Sequence, residues 1–236
     1  MGPKDRVFWC RETLDWYLRA AQYGDYHKRL AQLIAPWLRG SVCDMGCGLG
    51  CLALELLRFV PQVTALDMDG EALASLRQRA EPGLVILEGN AMSLPRDMVW
   101  DTLVLSYFGW ITEPGHLDYF FTHCGQRIVS IVSGRPGSSF SATGSSARKK
   151  EHVPQVEAYL KGRGIRYHLE EHALEFGQPL RDMEEARDFV RSYSPKGCQE
   201  PTDEELAARL RPMENGGLYL PYKKHIGIFV IEREQG

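Results

Sequence analysis

Three cysteines and three glycines share nine positions in CDMGCGLGC, residues 43–51. Thiols at that density could ligate a metal or cycle through a disulfide. The spacing argues against both. Cys43, Cys47 and Cys51 form C-x3-C-x3-C, neither the paired C-x2-C of zinc sites nor the C-x3-C-x2-C of radical enzymes that ligate an iron–sulfur cluster. They would share a face only on a continuous helix, and glycines at 46, 48 and 50 oppose one. No metal is expected, and the cysteines read as small residues beside a tight turn. The glycines carry more information. With Asp44 they form D-x-G-x-G-x-G, a chain that turns sharply and lets a ligand approach where a Cβ would stand. A dinucleotide fingerprint, G-x-G-x-x-G, would need glycine where Cys51 stands. Asp44 would repel an anionic pyrophosphate and attract a cationic ligand.

Such a loop works only at the end of a strand, and the sequence supplies the frame. SVCDM, VTALD, LVILE, DTLVLS and RIVSIVS are short β-rich runs that fit strands buried on both faces. CLALELLRF, EALASLRQRA and HLDYFF between them favour helix. The alternation predicts an α/β fold, doubly wound, with helices on both faces. Downstream, VPQVEAYLK reads as helix, IRYHLEEHALEF as strand and KKHIGIFVIER as a closing strand, which brings the mostly parallel sheet to seven strands. Ahead of it, Leu14 to Leu38 is a helical pattern that breaks near Gly24. Asp182 with Glu185, and Thr202 with Glu205, mark two further helix starts. The expected organisation is an N-terminal helical segment over 1–40 and a core over 41–236, with a helical insertion at about 178–215.

The ordered segments resemble class I S-adenosylmethionine-dependent methyltransferases. CDMGCGLG resembles the family's first motif, and VTALD places Asp67 at the tip of the second strand, where the family accepts both ribose hydroxyls. LEGNAMSLP resembles the segment after the third strand, with Asn90 where the family usually has Asp. WDTLVLSYFGW resembles the fourth strand, which ends beside the departing methyl group. The resemblance covers about residues 40–135 closely and implies S-adenosylmethionine as cofactor, with S-adenosylhomocysteine as product. Carried onto this sequence, the cofactor-binding residues are Asp44, Gly46, Cys47, Gly48, Gly50, Asp67, Met68, Asn90, Ala91 and Ser106. Methyl transfer from a sulfonium has a neutral leaving group, so positioning and desolvation suffice and no base is obligatory. Where the nucleophile must lose a proton, Tyr107, His116 and Tyr222 are the candidates. His123 and His225 have no convergent partner in the sequence.

The whole chain narrows the rest. Its 236 residues are enough for one core without metals or disulfides. A net charge of −3 argues against binding nucleic acid through bulk charge. SYFG after the fourth strand lacks the N/D-P-P-Y/F signature of amino-directed nucleic-acid or glutamine methylation, so the acceptor is expected to be a small molecule. The Ser/Gly-rich stretch 133–150 holds Arg135, Arg148, Lys149 and Lys150 and no acid, which suggests a lid over an anionic acceptor or a solvated loop. No apolar run reaches membrane-spanning length, and the N-terminus does not read as a signal peptide. Six cysteines then read as reduced thiols of a cytoplasmic protein. A nicotinamide-dependent reductase is weakened by the missing third glycine and by the absence of a Tyr-x3-Lys pair. A cofactor-binding sensor without catalysis stays open.

Overall fold

The computed structural model describes residues 10–134, 140, 151–194, 200–214 and 216–233. In chain order the helices and strands are α1 (Arg11–Tyr23), α2 (Tyr26–Ile34), β1 (Val42–Met45), α3 (Cys51–Leu56), β2 (Val63–Asp67), α4 (Gly70–Arg77) and β3 (Leu84–Glu88). There follow β4 (Trp100–Ser106), α5 (His116–Thr122), β5 (Cys124–Ser133), α6 (Val153–Gly162) and β6 (Tyr167–Glu175). The last are β7 (Gln178–Leu180), α7 (Met183–Tyr193), α8 (Asp203–Ala207), β8 (Arg211–Pro212), β9 (Leu218–Leu220) and β10 (Lys223–Glu232).

Seven strands form one sheet in the order β3-β2-β1-β4-β5-β10-β6. Strands β1 to β5 run parallel, and β10 is antiparallel to β5. Chain order steps outward from β1 to β3, then restarts on the other flank of β1 with β4. That reversal between β1 and β4 opens a crevice at their carboxyl ends, where open α/β sheets bind ligands. The expected doubly wound architecture is therefore the one observed. One strand departs from the expected burial. β3 lies at the sheet edge, and Val85 on it is exposed. A continuous apolar run does not by itself distinguish a central strand from an edge.

The chain divides into two compact units. His27–Gly134, Glu151–His172 and Ile226–Gly236 make up the first, whose core packs Leu103, Leu105, Phe120, Ile128, Val156 and Phe229 out of water. Each such side chain contributes about 1.5–3 kcal/mol. Met1–Tyr26, Arg135–Lys150 and Ala173–His225 make up the second. Its core joins Trp16 of α1 to Ala186, Phe189 and Val190 on the apolar face of α7. Both capping signals hold. Asp182 accepts Glu185 N–H at 2.9 Å, and Thr202 and Glu205 form a reciprocal capping box. The helical pattern over 14–38 breaks at Gly24, as expected. A three-stranded antiparallel sheet, β7-β9-β8, escaped the sequence reading because strands of two or three residues carry no readable period. The basic stretch expected as a lid lies outside the described residues, apart from Ser133, Gly134 and Phe140.

Candidate active site

β1 is buried along its length and delivers Asp44, 2% exposed, towards the crevice. Beyond Met45 the chain curls over the end of β2, with Gly46 and Cys47 N–H groups both donating to the Leu66 carbonyl, at 2.8 and 3.0 Å. Two glycines are required on steric grounds. Gly46 has φ +75°, and a Cβ there would lie 2.3 Å from the Phe108 ring. Gly50 has φ +67°, and a Cβ there would lie 2.5 Å from Leu76. Both close approaches come from the protein's own side chains, so these glycines serve packing as well as any ligand. Gly48 contributes its backbone, donating N–H to Asp67 Oδ2 at 2.7 Å.

Asp67 is the hub of the turn. Its second oxygen accepts Asp69 N–H at 2.9 Å, so one carboxylate ties the glycine loop to the start of α4 and keeps a lone pair on each oxygen. Asp69, not Asp67, caps α4, through Glu71 and Ala72 N–H. Burial first, then the neighbouring charge of Asp67, pushes the Asp44 carboxyl up to about 7, against a backbone hydrogen bond from Ala53. Burial and Asp44 likewise push up the Cys43 and Cys47 thiols, which therefore stay protonated and poor as nucleophiles or metal ligands.

The other expected residues sit at neighbouring strand ends. Met68, after β2, is 51% exposed. Asn90 follows β3, is exposed, and closes an Asx turn in which Oδ1 accepts Met92 N–H at 3.0 Å. The adjoining Ala91 is buried. Ser106 ends β4. Immediately beyond, Tyr107 has φ +54°, Gly109 φ +94° and Trp110 φ +43°. Two non-glycine residues in the left-handed region cost about 1–2 kcal/mol each. Such strain persists where the surroundings impose it, and it clusters at functional sites. His116 reaches back to this segment, its Nδ1 2.8 Å from the Gly109 carbonyl. A carbonyl only accepts, so Nδ1 donates this bond and Nε2 is the ring nitrogen left for another partner. Tyr107 and His116 thus stand at the two ends of the segment that joins β4 to α5. Tyr222 belongs to the other unit, where its ring lies 4.3 Å from Phe140 and its N–H donates to Glu175.

Two residues support this region in ways that sequence reasoning did not place. Phe108 packs against Gly46. Glu151, 9% exposed, accepts hydrogen bonds from Ile111 and Thr112. An acid some 40 positions from its partners leaves no local signal.

Residues 42–126, which contain the glycine turn, Asp67, Asn90 and the strained loop, match a protein family described as a methyltransferase domain. They are a class I S-adenosylmethionine-dependent methyltransferase domain. The methyltransferase takes S-adenosylmethionine as its cofactor. Among solved structures, its fold is similar to the YcgJ protein of Bacillus subtilis, with TM-score 0.55 and 13% identity over 88% of this chain and 99% of that one. It is likewise similar to a putative methyltransferase of Bacillus halodurans, with TM-score 0.53 and 14% identity over 88% of this chain and 99% of that one. No curated relative matches the chain in sequence. Among the described residues, no group of three or more His, Cys, Asp or Glu could hold a metal ion, and no helix is long and apolar enough to cross a membrane. The crevice of the methyltransferase fits a cationic cofactor. Asp44 is a buried acid that meets a second carboxylate, and among the described residues no cationic side chain moderates its charge.

Proposed function

We propose that this methyltransferase binds its cofactor across the carboxyl ends of β1 to β4 and methylates an anionic small molecule there. Asp44, Gly46, Cys47, Gly48 and Gly50 form the bed of the site. Asp44 faces the cofactor's ammonium group. Asp67, with its two remaining lone pairs, accepts the ribose hydroxyls, and Met68 flanks them. Asn90 and Ala91 border the adenine, with Asn90 as acceptor for its amino group, and Ser106 lies below the transferring methyl. The observation that carries this reading is the electrostatics of Asp44. A carboxyl pushed up to about 7 by burial and a like charge is restored to its ionised form by a cation.

Bound there, the cofactor supplies an electrophilic methyl group on a leaving sulfur that departs neutral. The protein's part is to align the acceptor in line and to exclude water. Tyr107, exposed at the end of β4, and Phe108 beside Gly46 are placed to do so. His116 Nε2 takes the acceptor's proton where the nucleophile has one to lose. Tyr222 is a third candidate for that role. The anionic acceptor rests on the acid-free basic run Arg135, Arg148, Lys149 and Lys150. Five described cysteines are all free, which supports a cytoplasmic location.

Calorimetry tests the reading. S-adenosylhomocysteine should bind in the micromolar range, on the order of −7 to −9 kcal/mol, and NAD not at all. Labelled-methyl transfer into a cell extract then separates an enzyme from a sensor. Binding of NAD in preference to S-adenosylhomocysteine refutes the assignment of the crevice.

A further inference from the structure

Glu151 stands where the chain rejoins the sheet after β5. Ser133 N–H donates to the Glu151 carbonyl at 3.2 Å, Ser133 and His152 bridge in parallel, and Val153 N–H donates to the Gly134 carbonyl at 3.1 Å. These contacts fix its backbone. Its side chain turns inward, with the residue 9% exposed, and meets the segment that follows β4. Oε1 accepts Thr112 N–H at 2.8 Å and Thr112 Oγ1–H at 2.6 Å, and Oε2 accepts Ile111 N–H at 3.1 Å. Among the described residues no basic side chain forms an ion pair with it. A buried carboxylate is costly unless its charge is met. Among the described residues, the hydrogen bonds that meet it come from residues 111 and 112.

The segment these donors belong to is the strained one. Tyr107 and Trp110 hold positive φ, and such conformations last only where neighbours over-determine them. Tyr107 N–H is tied to the Ile131 carbonyl at 2.9 Å at one end. In the middle, Gly109 is pressed against the Phe120 ring and bonded through its carbonyl to His116. At the far end, Glu151 holds Ile111 and Thr112 through the bonds described above. Charge-assisted bonds of this kind are roughly twice as strong as neutral ones.

We propose that Glu151 is a positioning residue for methyl transfer. Its carboxylate locks residues 107–112 in their strained form, and so sets where Tyr107 and His116 stand beside the reacting groups. It touches neither cofactor nor acceptor. The assignment rests on the reading that this crevice hosts the transfer, so its test keeps loop order, cofactor binding and catalysis apart.

Three variants serve, Glu151→Gln, Glu151→Asp and Thr112→Val. The glutamine has one acceptor oxygen and must turn an NH2 group towards one of the loop's donors. The aspartate keeps the charge on a shorter arm, and the valine removes only the hydroxyl donor, so either tests the point if the glutamine variant fails to fold. Hydrogen exchange should show amides of 107–112 opening about tenfold to a hundredfold faster in Glu151→Gln. The aspartate should fall between it and the wild type. S-adenosylhomocysteine affinity, read by calorimetry, should stay within about twofold, because the glycine turn and Asp67 are untouched. Labelled-methyl transfer into a cell extract should drop about tenfold or more. Unchanged exchange at 107–112 overturns the proposal, as does faster exchange with full transfer activity. Wild-type protein that fails to bind S-adenosylhomocysteine instead refutes the assigned crevice, and the exchange arm still decides whether Glu151 orders the loop.

Discussion

Cofactor binding should release a proton from Asp44, and the amount is set by pH. In the free protein the Asp44 carboxyl titrates at about 7. At pH 6 roughly nine in ten copies then carry a proton, and at pH 8 about one in ten. An ammonium group against Asp44 requires the carboxylate. If the bound value returns to about 4, binding at pH 6 expels about 0.9 proton, and at pH 8 about 0.1. Affinity should climb about tenfold between pH 5 and pH 6 and flatten above 7, so that pH 5 lies about a hundredfold, ~2.7 kcal/mol, below the plateau. Stability runs the opposite way. The folded value lies above the unfolded one, so the contribution of Asp44 is complete below about pH 4 and is lost as pH rises through 7. The rise from 3.8 to about 7 corresponds to about 4 kcal/mol, to order of magnitude. The thermal shift given by saturating S-adenosylhomocysteine should therefore grow from pH 5 to pH 8. Calorimetry at pH 6 in two buffers of different ionisation enthalpy counts the proton. Asp44→Asn should abolish both the release and the pH dependence, and lower the plateau affinity by about 1.5–3 kcal/mol. No proton release at pH 6, or an affinity flat from pH 5 to 8, would refute the placement of the ammonium on Asp44.

Asp67→Ala should weaken S-adenosylhomocysteine binding by roughly 1.5–3 kcal/mol from the ribose bonds, and more if the loss of its bonds to Gly48 and Asp69 loosens the turn. Full affinity in that variant would remove Asp67 from the site. Asn90→Asp keeps an acceptor for Met92 N–H and should tighten binding by about 1 kcal/mol by calorimetry; weaker binding would mean that the Asn90 amide donates instead. Glu185 is a structural test in the other unit. Burial raises its carboxyl, but hydrogen bonds from Arg19, Arg181 and Trp16 overcome that and hold it at about 2. Its contribution is present above the unfolded value near 4.5 and lost as pH falls towards 2, so Glu185→Gln should lower the thermal midpoint at pH 7 and flatten the loss between pH 4.5 and 2. An unchanged midpoint at pH 7 would show that the network contributes nothing net.

What the sequence disclosed is what short-range rules govern. The doubly wound sheet could be anticipated because five apolar runs alternate with helix-favouring segments, and the two helix starts because both capping pairs lie three residues apart. The glycine turn was legible because Asp44 and three glycines fall within seven positions. The reasons for those glycines were only half legible. Phe108 and Leu76 fill the space at Gly46 and Gly50, and neither is near them in sequence. Asn90 shows the same limit, since the resemblance marks it as a cofactor residue while its side chain also closes a local Asx turn with Met92.

The site's rigidity was the least legible part. SYFGW contains one glycine, and no propensity rule places Tyr107 and Trp110 at positive φ. That conformation is imposed from outside the segment, by Ile131 on β5, by Phe120 on α5 and, on the reading developed above, by Glu151. Each lies at least ten residues away in the chain. A turn that dictates its own shape announces itself through its composition. A loop held in a shape that it would not choose is announced only by the residues that hold it, and those become recognisable once the fold has brought them together.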